Sequence, residues 1–253
     1  MTTLPLCPNS ACTTLPRAWW AATGLALAGV LVWDGSGLDL TVMGWLGTAH
    51  GFALRHNWWL ETVLHESARR AAMVLYLVLW AMVWRPLGLF KHFQRPERLD
   101  MAWGTTAALL AISALKHHSL TSCPWELQTF GGAARYVSHW QWGVSDGGGG
   151  RCFPGGHASS ALAYLALVLP GLGALPGSTP HLIAKRLLVL VLLAGAVLGT
   201  AQTLRGAHYP SHTLWTAWVC WVVASLVRVG LAQWRAWRAG LRLLRVLPAV
   251  RSD

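Results

Sequence analysis

Six apolar runs divide this chain: residues 18–33, 71–89, 102–115, 158–175, 182–201 and 213–231. Each is near the length that crosses a hydrocarbon core of ~30 Å at 1.5 Å per residue. The third is the shortest, and Lys116 at its end can snorkel to the headgroups. The first is not read as a signal peptide, because it follows a single base, Arg17, and no small-x-small cleavage site precedes Asp34. Composition agrees with a membrane scaffold: 54% of residues are hydrophobic, 11% are charged, and 17 are Trp. Trp at the ends of the runs suits an aromatic belt. The expected fold class is all-α, a polytopic membrane protein with six transmembrane helices.

The formal net charge of +11 does not point to nucleic acid, since the bases sit in clusters between apolar runs and form no basic domain. Their distribution sets an orientation instead. With the N-terminus inside, Lys and Arg are in excess on the inner side, and Asp34, Asp39, Glu61, Glu66, Glu126 and Asp146 all fall outside. The expected organisation is a single transmembrane domain. A cytoplasmic N-terminus spans 1–17, a six-helix core spans 18–231 with outer loops 34–70, 116–156 and 202–211, and an amphipathic cytoplasmic tail spans 232–253. In the first outer loop, Trp58, Trp59, Val63 and Leu64 alternate with Glu61, His65 and Arg69, as in a short interfacial helix. The expected location is a bacterial inner (cytoplasmic) membrane with both termini inside and the active face periplasmic.

The stretch most suggestive of chemistry runs from Arg151 to Ser160, Arg-Cys-Phe-Pro-Gly-Gly-His-Ala-Ser-Ser, after four glycines and before an apolar run. Six spans place three junctions on one side. Lys116 ends the third span, His157 begins the fourth, and Gln202, Arg205, His208 and His212 bracket the junction of the fifth and sixth. Ionisable groups at a membrane edge are costly and mark functional sites by default. Lys and Arg can fix an anion, a neutral His can act as a nucleophile, and a second His can protonate a leaving oxygen. Helix starts at His157 and near Pro210 add donors for an oxyanion. That set suits phosphoryl transfer through a phosphohistidine, and it calls for no cofactor and no metal.

These residues resemble the type-2 phosphatidic acid phosphatase superfamily, the integral-membrane lipid phosphatases related to bacterial acid phosphatases and vanadium haloperoxidases. The first motif matches at Lys116 and Pro124, with Cys123 where the family has Arg. The second is Pro154-Gly155-Gly156-His157, with Gly155 where the family has Ser. In the third, His208-Tyr209-Pro210-Ser211 is present, Gln202 stands at the family's Arg and His212 at its Asp. The likeness covers roughly residues 100–220 and marks a divergent branch. It implies that His208 attacks phosphorus, that His157 protonates the leaving group, and that Lys116, with Gly156 beside it, holds phosphate.

The departures have physical readings. Arg205 lies three residues before His208 instead of six, a shift of ~4.5 Å and 60° short of a full helical turn, which a long side chain can span. Gln202 can donate amide hydrogens to phosphate without charge. Arg151 or Arg135 can stand in for the Arg missing from the first motif, with Arg151 the better placed. His212 can accept the hydrogen bond that a carboxylate would accept, with less stabilisation of a charged His208; alternatively Glu126 or Asp146 approaches it. Cys123 and Cys152 fall in outer loops, where a disulfide between them would join the Lys116 loop to the His157 loop and contribute roughly 3–4 kcal/mol through loop entropy. Cys7 and Cys12 read as free thiols and Cys220 as packing.

The activity expected is hydrolysis of a lipid phosphate or pyrophosphate monoester. Candidate substrates are phosphatidic acid, phosphatidylglycerophosphate, undecaprenyl pyrophosphate and lipid A. The alternatives are transfer of the phosphoryl group to another lipid by the same mechanism, and a non-catalytic anionic-lipid binder or flippase. Zinc at His208 and His212 is disfavoured by the intervening Pro210 and the lack of a Glu or Asp in a protease-like position. A serine nucleophile at Ser159 or Ser160 is disfavoured because no nucleophile elbow surrounds it.

Overall fold

The computed structural model describes residue 15 and residues 17–246, with side chains described as far as residue 241. Cys7 and Cys12 and the end of the basic tail lie outside the described residues. The fold is helical. Its helices are α1 (Arg17–Gly35), α2 (Leu38–Leu46), α3 (Ala68–Trp84), α4 (Arg95–His118), α5 (Ser159–Leu162), α6 (Leu169–Leu172), α7 (Thr179–Leu204) and α8 (Pro210–Val246). A π-helical stretch, Trp59–Ser67, leads into α3. The extended structure is a small antiparallel pair, β1 (Gly47–Thr48) with β2 (Gly51–Phe52).

Among the described residues, three helices are long and apolar enough to cross a membrane: Trp59–His92, Thr179–Leu204 and Pro210–Leu241. A fourth crossing exists if α1 and α2, bent by 60° at their junction, count as one. Large apolar side chains stand exposed along α3 (Met73, Leu75, Leu77) and α7 (Val189, Leu190, Leu193). Such bands belong against lipid. Two of the six apolar runs are not among these helices. The run 102–115 lies inside α4, whose first turns carry Arg95, Glu97, Arg98 and Asp100. The run 158–175 is broken into α5, a 3₁₀ turn (Ala163–Leu167) and α6. It is buried almost throughout and packs on α4, α7 and α8. Pro170, without a backbone donor, and Gly171, packed against Pro180 and Ala184, keep it from becoming one long helix.

The centre of the bundle is α4 crossed on α8, with Met101, Ala102, Ala108 and Ile112 buried against Leu162, Leu165 and Cys220. Gly104 lets them approach, since a β-carbon there would lie 3.0 Å from Ala166 and 3.5 Å from Ala224. The N-terminal helix docks on α8 through indoles. Trp19 stacks on Trp221 at 4.4 Å, and Trp221 Nε1 donates to Thr23 Oγ1 at 2.9 Å. At one pole, buried Asp100 of α4 takes a bidentate pair from Arg235 at 2.7 and 3.0 Å, with Arg228 3.7 Å away. The far end of α4, with Lys116, lies at the opposite pole, where the loops gather.

Candidate active site

The turn that presents His208 is specified locally. Gly206 ends α7 with φ 75°, a conformation open to glycine. The Ala207 amide donates to the Gln202 carbonyl at 2.9 Å, and that of Gly206 to Thr203 at 2.9 Å, the double closure of a Schellman motif. Pro210 then starts α8, a position where its missing donor costs nothing. His208 is thus held between a fixed helix end and a fixed helix start, 2% exposed. The start of α8 is capped from α2: Asp39 accepts from the Ser211 amide at 3.0 Å and from the Ser211 hydroxyl. A carboxylate there favours the helix dipole.

The glycine loop reaches His157 by docking on that same turn of α8. The Phe153–Pro154 bond is cis. The Gly155 amide donates to the His212 carbonyl at 3.2 Å, and Thr216 Oγ1 donates to the Gly155 carbonyl at 3.1 Å. A β-carbon at Gly155 would come within 3.3 Å of the His212 carbonyl, so the smallest residue suits the contact. At Gly156 it would come within 3.2 Å of Lys116 Cδ and 3.4 Å of its Nζ. The ammonium therefore lies along the backbone just before His157. The Ser159 hydroxyl is engaged with the Gly156 carbonyl at 2.6 Å.

The histidines form a chain. The rings of His157 and His208 are 6.1 Å apart, and those of His208 and His212 are 5.6 Å apart. The two Nδ1 atoms of His208 and His212 face each other at 3.4 Å, and His208 Nδ1 lies 3.3 Å from Cys152 Sγ. Cys152 is bonded to Cys123, S–S 2.12 Å, so the disulfide abuts the His208 ring. Burial, then His65, Lys116, Arg69 and Arg205, pushes His157 down to about 3. Burial, then His212, Lys116 and His157, holds His208 well below the ordinary imidazole range, against a hydrogen bond with the Cys152 backbone. Cys123, Cys152 and His208 bring donor atoms within 4.8 Å of one another. The two sulfurs are bonded to each other, however, and offer a metal no thiolate.

The remaining residues singled out in the sequence sit as follows. Arg205 is 4% exposed and its three nitrogens are engaged: Nε with the Arg55 carbonyl at 2.9 Å, Nη1 with Gln202 Oε1 at 3.5 Å, and Nη2 with Glu61 at 3.1 Å. Gln202 is 1% exposed, and its Nε2 finds no protein partner among the described residues. Arg151 and Arg135 lie exposed on the loops at this pole. Glu126 and Asp146 brace those loops: Glu126 accepts from the Cys123 amide at 2.8 Å, and Asp146 accepts from the Ser122 amide and hydroxyl at 2.6 and 2.8 Å. His212 has another neighbour, His139, at a ring distance of 6.2 Å, and His139 Nε2 pairs with buried Asp34 at 3.0 Å.

Two residues of the site belong to no motif. His65, from the π-helical stretch, packs its ring on His157 at 3.7 Å. Arg69, one turn on, lines the same cavity as Lys116, Gly156 and His157. The only signal in the sequence is their i, i+4 spacing on an amphipathic segment. Without a partner segment in view, that spacing reads as an interfacial face.

A helical scaffold with broad apolar surfaces, carrying buried imidazoles that resist protonation beside a lysine, has the parts of a phosphoryl-transfer site. The sequence profile of the PAP2 superfamily matches residues 98–236, more than half of the chain. The chain belongs to that superfamily, whose members are generally phosphatases acting on phosphate esters. No curated protein and no solved structure matches it.

Proposed function

We propose that this protein is a membrane lipid phosphatase, hydrolysing a phosphate or pyrophosphate monoester of a lipid through a phosphohistidine. The observation that carries the lipid assignment is a cavity of about 610 Å³. It is lined by Lys116, Gly156 and His157 at the end of α4 and continues between α3 and α4 along Met73, Leu109, Leu110 and Ile112. A soluble phosphate ester needs no such apolar trough, whereas a lipid with its phosphate at that end fills it.

In this reading Lys116 neutralises phosphate charge. Neutral His208 attacks phosphorus, forming a N–P bond as the bond to the leaving oxygen breaks. His157 delivers a proton to that oxygen. It is neutral in the free protein, and the arriving phosphate's negative charge favours its protonated form. Once the lipid alcohol, or the lipid phosphate from a pyrophosphate, has left, His157 takes a proton from water, which attacks phosphorus, releases orthophosphate and frees His208. The Nδ1 of His208 faces His212 Nδ1 and the Cys152 sulfur, which leaves Nε2 to attack. Transfer to a second lipid in place of water uses the same groups.

The six-span topology with the catalytic pole periplasmic belongs to the same proposal. It is supported by the excess of Lys and Arg in the other set of segments, and it takes α4 and the broken 158–175 segment as crossings surrounded by protein.

Purified protein in detergent should release orthophosphate from dispersed phosphatidic acid, with phosphatidylglycerophosphate, undecaprenyl pyrophosphate and lipid A as the comparison panel. Release should persist in EDTA and fall by a factor of roughly 10³ or more in His208→Ala, the scale set by loss of a covalent nucleophile. A folded His208→Ala variant that retains activity would refute the nucleophile, and loss of activity in EDTA would refute the metal-free route.

A further inference from the structure

The motif cations leave the phosphate short of a guanidinium. The first motif has Cys123 at its Arg position, and the sulfur of Cys123 is consumed by Cys152. Arg205 has its charge committed to Glu61 and its other nitrogens to the Arg55 carbonyl and Gln202. Arg151 and Arg135 are exposed on the loops. Lys116 alone would face a phosphate dianion.

The start of α3 supplies what is missing. Arg69 is in the first turn of α3 and lines the cavity with Lys116, Gly156 and His157. Among the described residues it makes no ion pair, whereas its neighbour Arg70 pairs with Glu66 at 3.5 Å. One turn earlier His65 lies against His157, the rings 3.7 Å apart and tilted by 39°. The Nδ1 atoms of both rings lack protein hydrogen-bond partners among the described residues, so packing is the contact that sets the His157 ring. The π-helical turns carrying His65 are a rare geometry that concentrates at functional sites. They are anchored from the catalytic turn itself, since Glu61 of that stretch takes the Arg205 guanidinium at 3.1 Å.

We propose that this segment is part of the catalytic centre: Arg69 binds the substrate phosphate together with Lys116, and His65 is a positioning residue that fixes the ring of His157. The inference rests on the phosphatase reading for its kinetics, but phosphate binding tests Arg69 without turnover. A guanidinium adds two parallel N–H donors that an ammonium cannot offer. It also answers Lys116 from the facing helix, so that a phosphate is held from both sides of the trough.

The test uses full-length protein in detergent, with inorganic phosphate as the binding probe and phosphatidic acid as substrate. Arg69→Ala should weaken phosphate binding about tenfold and lower kcat/KM roughly 100-fold. Arg69→Lys should recover part of both, and Arg70→Ala should match wild type. His65→Ala should lower kcat about tenfold at unchanged KM, the mark of a misaligned acid. His65→Phe, which restores a ring but no titratable nitrogen, should regain most of it. Wild-type phosphate affinity in Arg69→Ala overturns the first role. Wild-type kcat in His65→Ala, or no recovery in His65→Phe, overturns the second. If wild type binds phosphate but releases none from any lipid, the phosphatase reading fails, and Arg69 is still decided by binding.

Discussion

His157 sits where burial and charge act against protonation. Its ring is enclosed by His65 and faces Lys116 and Arg69, and these groups bring it down to about 3. An unfolded imidazole titrates near 6.5. Between those two values the unfolded chain binds a proton that the folded chain refuses. Stability is therefore full above about pH 6.5 and falls as pH drops through the window to about 3, by roughly 1.4 kcal/mol per pH unit for each such group. His208, also held below its ordinary range, adds a loss of the same sign. Denaturation midpoints in detergent should fall between pH 7.5 and 5, and His157→Gln should flatten that slope. Parallel slopes for wild type and variant would mean that His157 is not kept neutral by the fold. The chemistry follows from the same balance: a nucleophile must be neutral, an acid must be charged, and only a bound phosphate makes the second condition attainable here.

At the scale of elements, the site depends on how α7 ends. The Schellman closure at Gly206 sets where His208 emerges, and Gly206 has no slack on either count. Its φ of 75° disfavours a side chain, and a β-carbon there would run into the Phe52 ring. That ring is fixed in a cluster with Met43, Leu127, Phe130 and Tyr209. Gly206→Ala should cost about 1–2 kcal/mol for the left-handed backbone alone, with the clash in addition, and should lower phosphate release by moving His208. Gly230 provides the opposite case. It lies inside α8 with open space around its missing β-carbon, so Gly230→Ala should stabilise by about 0.5–1 kcal/mol and leave activity unchanged. Thermal midpoints and turnover of the two variants check both signs. The indoles show a related balance. Trp at the ends of the runs reads as a membrane belt, yet Trp19, Trp218 and Trp221 spend their N–H groups on the α1–α8 contact. Composition cannot tell a belt from a zipper between helices, because both want an apolar ring with one donor.

At the scale of the whole molecule, the apolar runs fix the helices that face lipid but not those that face protein. The run 158–175 is as apolar as a span because it is enclosed by α4, α7 and α8, and hydropathy does not distinguish an oily surface from a core. The spacing of Lys116, His157 and His208 was legible because the first two flank apolar runs and the third lies in the short loop between two of them. His65 and Arg69 were not, since their placement depends on how α3 leans on α4. That lean also makes the cavity, and its depth carries a prediction. From Lys116 to Thr106 is about 15 Å along α4 at 1.5 Å per residue, and at that depth Tyr76 and Thr106, both in the lining, are hydrogen-bonded at 3.0 Å. Ser113 lies partway down, exposed on the lining face of α4. Ser113→Trp should fill the trough below the phosphate, since a side chain on α4 leans toward the N-terminus of the helix and so away from Lys116. Its kcat/KM for a long-chain lipid phosphate should fall at least tenfold, the scale of an apolar pocket contact worth ~1–3 kcal/mol. A short, water-soluble phosphate ester, which has no chain to place there, should be cleaved at the wild-type rate. Equal losses on both substrates would mean that the mutation disturbs the catalytic pole. No loss on either would mean that the lipid chain lies elsewhere, and the trough would then give no ground for preferring a lipid over a soluble ester.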